Sequence, residues 1–195
     1  MQNMGINKVI GILRNGGVVI LTSESCYGIS ALASSKSAIE RIHTIKQESN
    51  NKPVTILVNS LNQLREFGVI NDIAIKLSHH FHPGQLNLII NLKDEKFDYL
   101  SSDGIAFRIP QHKLLHNIIE ILGEPITTTS ANIHGQAPIY NQSDLHSLDG
   151  SVDYINQDGN LDSQIPPSTV YDTRNGKILR QGSITLEQIH CALAL

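Results

Sequence analysis

At 195 residues, with 40% hydrophobic and 17% charged side chains, the chain has an ordinary globular balance. It is long enough to bury a core without staples, and one domain is expected over residues 1–195. Two cysteines exclude a disulfide framework, and no apolar run reaches the length that spans a bilayer, so no membrane role is expected. A formal net charge of −3 argues against a protein that coats nucleic acid, and the lack of Trp beside five Tyr and four Phe argues against a base-stacking platform. The start, Met1-Gln2-Asn3-Met4, lacks the charged and apolar regions of a secretory signal, so a reducing, cytoplasmic setting is expected.

Ile6, Val9, Ile10 and Leu13 repeat at helical spacing and stop at Gly16-Gly17. Val18-Val19-Ile20-Leu21 reads as a buried strand. Ser35 stands where it can cap a helix carrying Ile39, Ile42 and Ile45, which runs out in the polar stretch 46–52. A strand is expected over 54–58, a short helix over 61–67, and a helix over 73–81 stopped by Pro83-Gly84. Strands over 86–92 and 105–109 follow, then a helical stripe over 114–122 and a strand running into Thr127. Residues 132–167, rich in Asn, Asp, Gln, Ser and Gly, read as loops around a weak hairpin with a strand over 152–155, and as a mobile cover for a site. Strands over 169–172 and 177–179 and a helix over 184–193 close the chain. Strands and helices mix throughout without repeat or linker, which predicts a layered α/β domain on a twisted, mixed β-sheet.

The chemistry concentrates where polar groups follow apolar strands. Thr128-Thr129-Ser130-Ala131-Asn132 follows the apolar approach Glu124-Pro125-Ile126-Thr127 and precedes a turn ending at Pro138. Short hydroxyls and an amide at the open end of a strand suit phosphate or carboxylate oxygens; a polar turn built on Asn and Gly is the structural alternative. Five further segments share this character: Leu21-Thr22-Ser23-Glu24-Ser25-Cys26-Tyr27-Gly28, Lys46-Gln47-Glu48-Ser49-Asn50-Asn51-Lys52-Pro53, His82-Pro83-Gly84-Gln85-Leu86-Asn87, Ala106-Phe107-Arg108-Ile109-Pro110, and Ser168-Thr169-Val170-Tyr171-Asp172 with Leu179-Arg180-Gln181-Gly182.

In order and approximate spacing, from about Gly16 to Gly182, these six segments resemble the TsaC/YrdC family, the threonylcarbamoyl-AMP synthases. Each motif is weak alone; together they cover nearly the whole chain. The resemblance implies a single YrdC-like domain that joins L-threonine, bicarbonate or CO2, and ATP into threonylcarbamoyl-AMP and pyrophosphate. It implies Mg²⁺ travelling with ATP, no tightly bound cofactor and no protein metal site. A separate transferase complex would then carry the group to tRNA, so direct tRNA contact is expected to be weak or indirect.

It also implies roles. Charge grows on the leaving pyrophosphate, so such a site needs cations and aimed donors more than a nucleophile. Lys46 and Lys52 would clamp the triphosphate, and Ser130 and Asn132 would contact phosphate, these four being the catalytic set. Arg180 falls on an ATP-contacting position. Ser23, Arg108, Thr128 and Ser168 fall on threonine-contacting positions, with the Arg108 guanidinium suited to a carboxylate. Structural alternatives accompany each: solvated loop lysines, an Arg108 ion pair, surface charge at Arg180. Glu24 is read equally as loop-orienting, and Asp172 as fixing its strand or pairing with a cation.

Four positions depart from the family pattern: Thr22 for Pro, Asn87 for Thr, His134 for Ser, and Glu48 for Arg. The last inverts a charge beside a polyanion, which matters by several kcal/mol at close range unless Glu48 turns away. If this loop contacts ATP, Glu48→Arg is expected to raise threonine-dependent pyrophosphate release. His79, His80 and His82 do not share a helix face, so they make no preset metal site. Two alternatives stand beside the synthase: a paralogue binding nucleotide or double-stranded RNA without synthesis, and a carbamoyl-adenylating module of the kind embedded in longer carbamoyltransferases.

Overall fold

The structure, a computed structural model, describes residues 2–50, 52–156 and 159–194. Six α-helices, two short 3-10 helices (Glu95–Phe97 and Gln142–Leu148) and ten strands are assigned among them. In chain order they are α1 (Gln2–Arg14), β1 (Val19–Thr22), β2 (Tyr27–Ser30), α2 (Lys36–Lys46), β3 (Thr55–Leu57), α3 (Leu61–Leu64), β4 (Gly68–Val69), α4 (Asp72–Phe81), β5 (Leu86–Leu92) and β6 (Ile105–Arg108). Then come α5 (Lys113–Leu122), β7 (Ile126–Ser130), β8 (Tyr154–Ile155), β9 (Thr169–Asp172), β10 (Lys177–Arg180) and α6 (Leu186–Ala194). The strands form one mixed sheet in the order β10-β9-β5-β6-β3-β7-β2-β1-β8, with β4 paired to β5. β3 runs parallel to β6 and β5 parallel to β9, while β5–β6, β3–β7 and β2–β7 are antiparallel. This is the layered α/β architecture that the alternation of patterns predicts.

Side chains alternate faces along a strand. On the central strands one set, Ile56, Leu86, Leu88, Ile90, Ile105, Phe107 and Tyr171, joins a core with Leu64, Ala74, Leu77 and Ile189 of the covering helices. Helices α1 and α5 cover another part of the sheet, where Val9, Leu13, Leu115 and Ile119 pack on Val19, Leu21 and Ile126. Opposite them, Ile20, Tyr27 and Ile29 meet Ala38 and Ile42 of α2. Among the described residues no helix is long and apolar enough to cross a membrane.

Several sequence expectations need correction. Among the described residues the weak hairpin within 132–167 does not form. Tyr154 and Ile155 instead pair in parallel with Val19 and Ile20, because the edge of β1 offers unpaired backbone groups, and the Arg41–Asp153 ion pair at 2.6 Å pins the approach. Part of this region is also built into the core, through buried Ile139, Leu145 and Leu148. The strand entering Thr127 continues to Ser130, since Gly28 and Ile29 of an unforeseen strand, β2, pair with Ser130 and Thr129. The short helix expected over 61–67 ends at Leu64, and β4 follows it. Ser35 occupies the cap position of α2 without a side-chain cap bond, whereas Asn71 caps α4 by accepting from the Ala74 N–H at 2.8 Å.

His82 ties α4 to β5. Its Nδ1 lies 2.9 Å from the Ser78 hydroxyl and its Nε2 lies 2.7 Å from the Leu86 carbonyl, a pattern that suits the neutral ring donating from Nε2. Burial pushes its pKa down from an ordinary 6.5 to about 4, with the Arg108 charge adding to that effect and the Leu86 hydrogen bond opposing it. A base with a depressed folded-state pKa stabilises above its unfolded value, and this contribution fades as pH falls from 6.5 toward about 4. In urea unfolding, the stability gap between wild type and His82→Gln is therefore expected to narrow across that interval; a constant gap contradicts the assignment.

Candidate active site

The second face of the same strands lines an open cavity of about 960 Å³. Its floor takes alternate residues from adjacent strands: Gly28 from β2, Thr55 from β3, Asn87 and Ile89 from β5, Ala106 and Arg108 from β6, Thr128 and Ser130 from β7, and Val170 and Asp172 from β9. Register brings them side by side, with Thr55 opposite both Ala106 and Thr128, and Asn87 opposite Val170. Gly28 is required here, because a Cβ at that position would lie 2.7 Å from the Thr128 Oγ1.

Six of the sequence-selected residues line the cavity: Ser23, Arg108, Thr128, Ser130, Ser168 and Arg180. The Ser23 hydroxyl donates to the Cys26 carbonyl at 2.7 Å, and the Arg180 Nε donates to the Ser168 carbonyl at 3.0 Å. Burial lowers the Arg180 pKa, the charge of Arg108 adding to the effect and Cys26 opposing it. Burial raises the Cys26 thiol, which argues against a thiolate nucleophile in the cavity.

Arg108 is 5% exposed, and its Nη1 donates to Glu24 Oε2 at 2.6 Å. The other Glu24 oxygen accepts the backbone N–H groups of Gln111 at 2.7 Å and His112 at 3.1 Å. One carboxylate thereby fixes both the guanidinium and the entry to α5, so the loop-orienting reading of Glu24 and the ion-pair reading of Arg108 describe the same contact. Burial pushes the Glu24 carboxyl up, but the Arg108 charge and these hydrogen bonds outweigh it and leave the pKa below 4.5.

Lys46, Lys52 and Asn132 lie beside the cavity and are not among the residues that line it. Lys46 is 3% exposed, and its ammonium donates to the Ser130 carbonyl at 2.7 Å, the Asn132 carbonyl at 3.0 Å and Asn132 Oδ1 at 3.2 Å. Burial lowers its pKa, partly offset by Glu48. The Ser130 hydroxyl donates to Asn132 Oδ1, and the Asn132 amide donates to the Ile133 and Gln136 carbonyls. Glu48 turns away from the cavity: one carboxylate oxygen lies 3.2 Å from Nδ1 of the fully buried His43, and the other 3.8 Å from the Lys52 ammonium. The inverted charge therefore does not sit on the cavity wall.

Apart from Asp172, the far end of the cavity was not singled out from sequence. Asp103, Arg174, Asn175 and Lys177 line it together with Asp172. Arg174 bonds Asp172 at 2.7 Å and Asp103 at 2.8 Å, and the Asp172 hydrogen bonds chiefly raise its pKa; Asp172 is thus an ion-pair partner, as its sequence context suggests. The charged turn Asp172-Thr173-Arg174-Asn175-Gly176-Lys177 was the available signal. On the floor, the Asn87 amide donates to Thr55 Oγ1 at 3.3 Å and leaves its buried Oδ1 without a partner among the described residues.

A family model named Sua5/YciO/YrdC, described as telomere recombination, matches residues 11–182. A Methanocaldococcus jannaschii protein named "Putative threonylcarbamoyl-AMP synthase" is 32% identical over 189 residues, covering 93% of this chain and 89% of its own. The structure of P. abyssi Sua5 complexed with L-threonine is 28% identical with a TM-score of 0.87, over 96% of this chain and 57% of that one, so the chain spans little more than half of that relative. E. coli YciO is 25% identical with a TM-score of 0.84, over 97% of this chain and 94% of that one.

Because the Glu24 pKa is depressed in the folded protein, its stabilising contribution is present above 4.5 and is lost as pH falls through the lower folded value. Glu24→Gln should unfold well below the wild-type midpoint near neutral pH, and the two midpoints should converge under acid conditions. Equal midpoints near neutral pH would show that the pair does not hold the site together.

Proposed function

Because the chain belongs to the Sua5/YciO/YrdC family, we propose that it is an ATP-dependent nucleotidyltransferase that makes threonylcarbamoyl-AMP for tRNA modification. The carrying observation is a buried guanidinium, Arg108, on the same polar sheet face as the Ser130 strand end, within one cavity. A planar fork matches a substrate carboxylate, and the hydroxyl-bearing strand end matches phosphoryl oxygens.

In this reading the threonine amine takes up CO2 and loses a proton to give a carbamate. A carbamate oxygen then attacks the α-phosphorus of ATP, and the bond to the departing pyrophosphate breaks. Arg108 holds the threonine carboxylate with donors that Glu24 leaves unused, while Ser23, Thr128 and Ser168 surround the rest of the amino acid. Ser130 meets the α-phosphoryl group by turning its hydroxyl from Asn132 Oδ1 to the phosphoryl oxygen, and Arg180 reaches the nucleotide across the cavity. Lys46 and Asn132 keep the strand-end loop in shape from beneath it. Mg²⁺ enters as part of the ATP substrate and needs few protein ligands. The same reading takes residues 1–195 as one domain acting in the cytoplasm and passing its product to a separate transferase.

Pyrophosphate release measured with ATP, Mg²⁺ and bicarbonate should require L-threonine. Ser130→Ala should lower turnover by roughly tenfold to a thousandfold. Arg108→Lys, which keeps the charge and loses the fork, should mainly raise the threonine KM. Threonine-independent release, or none from folded, ATP-binding protein, would overturn the synthase reading.

A further inference from the structure

A departing pyrophosphate needs donors that the protein has not already spent. Around the Ser130 strand end that requirement excludes most of the obvious groups. All three Lys46 donors are used on Ser130 and Asn132, and both described Asn132 amide bonds go to backbone carbonyls. Glu48 adds a carboxylate. Two basic groups remain at the rim. The Lys52 ammonium lies 2.7 Å from Nδ1 and 3.1 Å from Nε2 of His134, with its side chain 41% exposed.

Their positions on the cavity edge follow from the chain. Lys52 precedes Pro53, and His134 stands between Ser130 and Pro138; Pro53, Ser130 and Pro138 all line the cavity. The His134 backbone N–H donates to the Lys46 carbonyl at 2.7 Å, which holds the histidine against the lysine loop. An ammonium carries no lone pair, so in this contact the imidazole serves as acceptor. Two basic groups side by side, with Glu48 the nearest carboxylate among the described residues at 3.8 Å from Lys52, present donors at the rim that an anion beside them can engage together.

Resting on the nucleotide reading of the cavity, we propose that His134 contacts substrate directly and forms with Lys52 the subsite for the terminal phosphates that leave as pyrophosphate. The groups facing His134 are the Lys52 ammonium, the Lys46 carbonyl and, through Lys52, the Glu48 carboxylate. The imidazole there supplies a second polar contact that Lys46, committed to the loop, does not offer.

Inorganic pyrophosphate with Mg²⁺ is the probe, titrated calorimetrically into wild type and His134→Ser, with AMP as a ligand lacking terminal phosphates. The substitution should weaken pyrophosphate binding about tenfold and leave AMP binding unchanged. In wild type, the ring resonances of isotope-labelled histidine assigned to His134 should shift on saturation with pyrophosphate, a readout independent of the variant's folding. Pyrophosphate affinities within twofold of each other, an unmoved His134 ring, or no binding by wild type would overturn the subsite. Threonine-dependent turnover tests the synthase reading separately, so either idea can fail while the other stands.

Discussion

A β-strand has two faces, and the central strands divide them strictly. Odd and even positions of β3, β5, β6 and β9 send Ile56, Leu88, Phe107 and Tyr171 into the core, and Thr55, Asn87, Arg108 and Asp172 toward the cavity side. A slip of one residue in β6 would drive Arg108 into the apolar layer and Phe107 into the cavity, at a cost no local rearrangement could offset. The register that makes the fold stable is therefore the register that assembles the site. Phe107 and Arg108 are neighbours in sequence with opposite tasks.

Once the face is set, the site is organised by pairing charges. Arg108 is a buried cation, tolerable because Glu24 meets it and is itself held by two backbone N–H groups. Arg174 is handled in the same way by Asp172 and Asp103 at the other end of the cavity. Lys46 is, like Arg108, a buried cation, and it is satisfied by carbonyl and amide oxygens alone. No carboxylate bonds it directly, and Glu48 offsets only part of its charge, which stands beside Ser130 where a phosphoryl group would meet it across the loop. Such a cation can favour an anion through its field while making no bond to it.

Glu48 illustrates how tertiary contacts change the meaning of a charge. In sequence it stands two residues from Lys46 in a basic loop and looks hostile to a polyanion. In the fold the left-handed turn at Gln47, with φ 53°, swings the chain so that the carboxylate lies against His43. His43 is buried on α2, and Glu48 gives its Nδ1 a polar partner. The residue belongs to the support of the lysine loop, one step removed from the cavity.

Most of the architecture was legible in the chain, because it rests on periodicity: α2, α4 and α5 follow their apolar stripes, and β5 and β9 begin and end where the apolar runs do. The six polar segments were legible too, since hydroxyls, Gly and Arg after apolar strands are unusual wherever they do not serve a site. What sequence alone could not show were features that depend on a distant partner. β2 exists because β1 and β7 flank it, and the expected strand at Tyr154-Ile155 takes β1 as its partner because β1 has a free edge. The charged turn at Arg174 joins the cavity only through the pairing of β9 with β5. The sequence by itself determined which residue types were available and which face of each strand they would occupy. The tertiary structure decided which donors are already spent and which remain for a ligand, because a hydrogen-bond partner eighty residues away leaves no trace in local pattern.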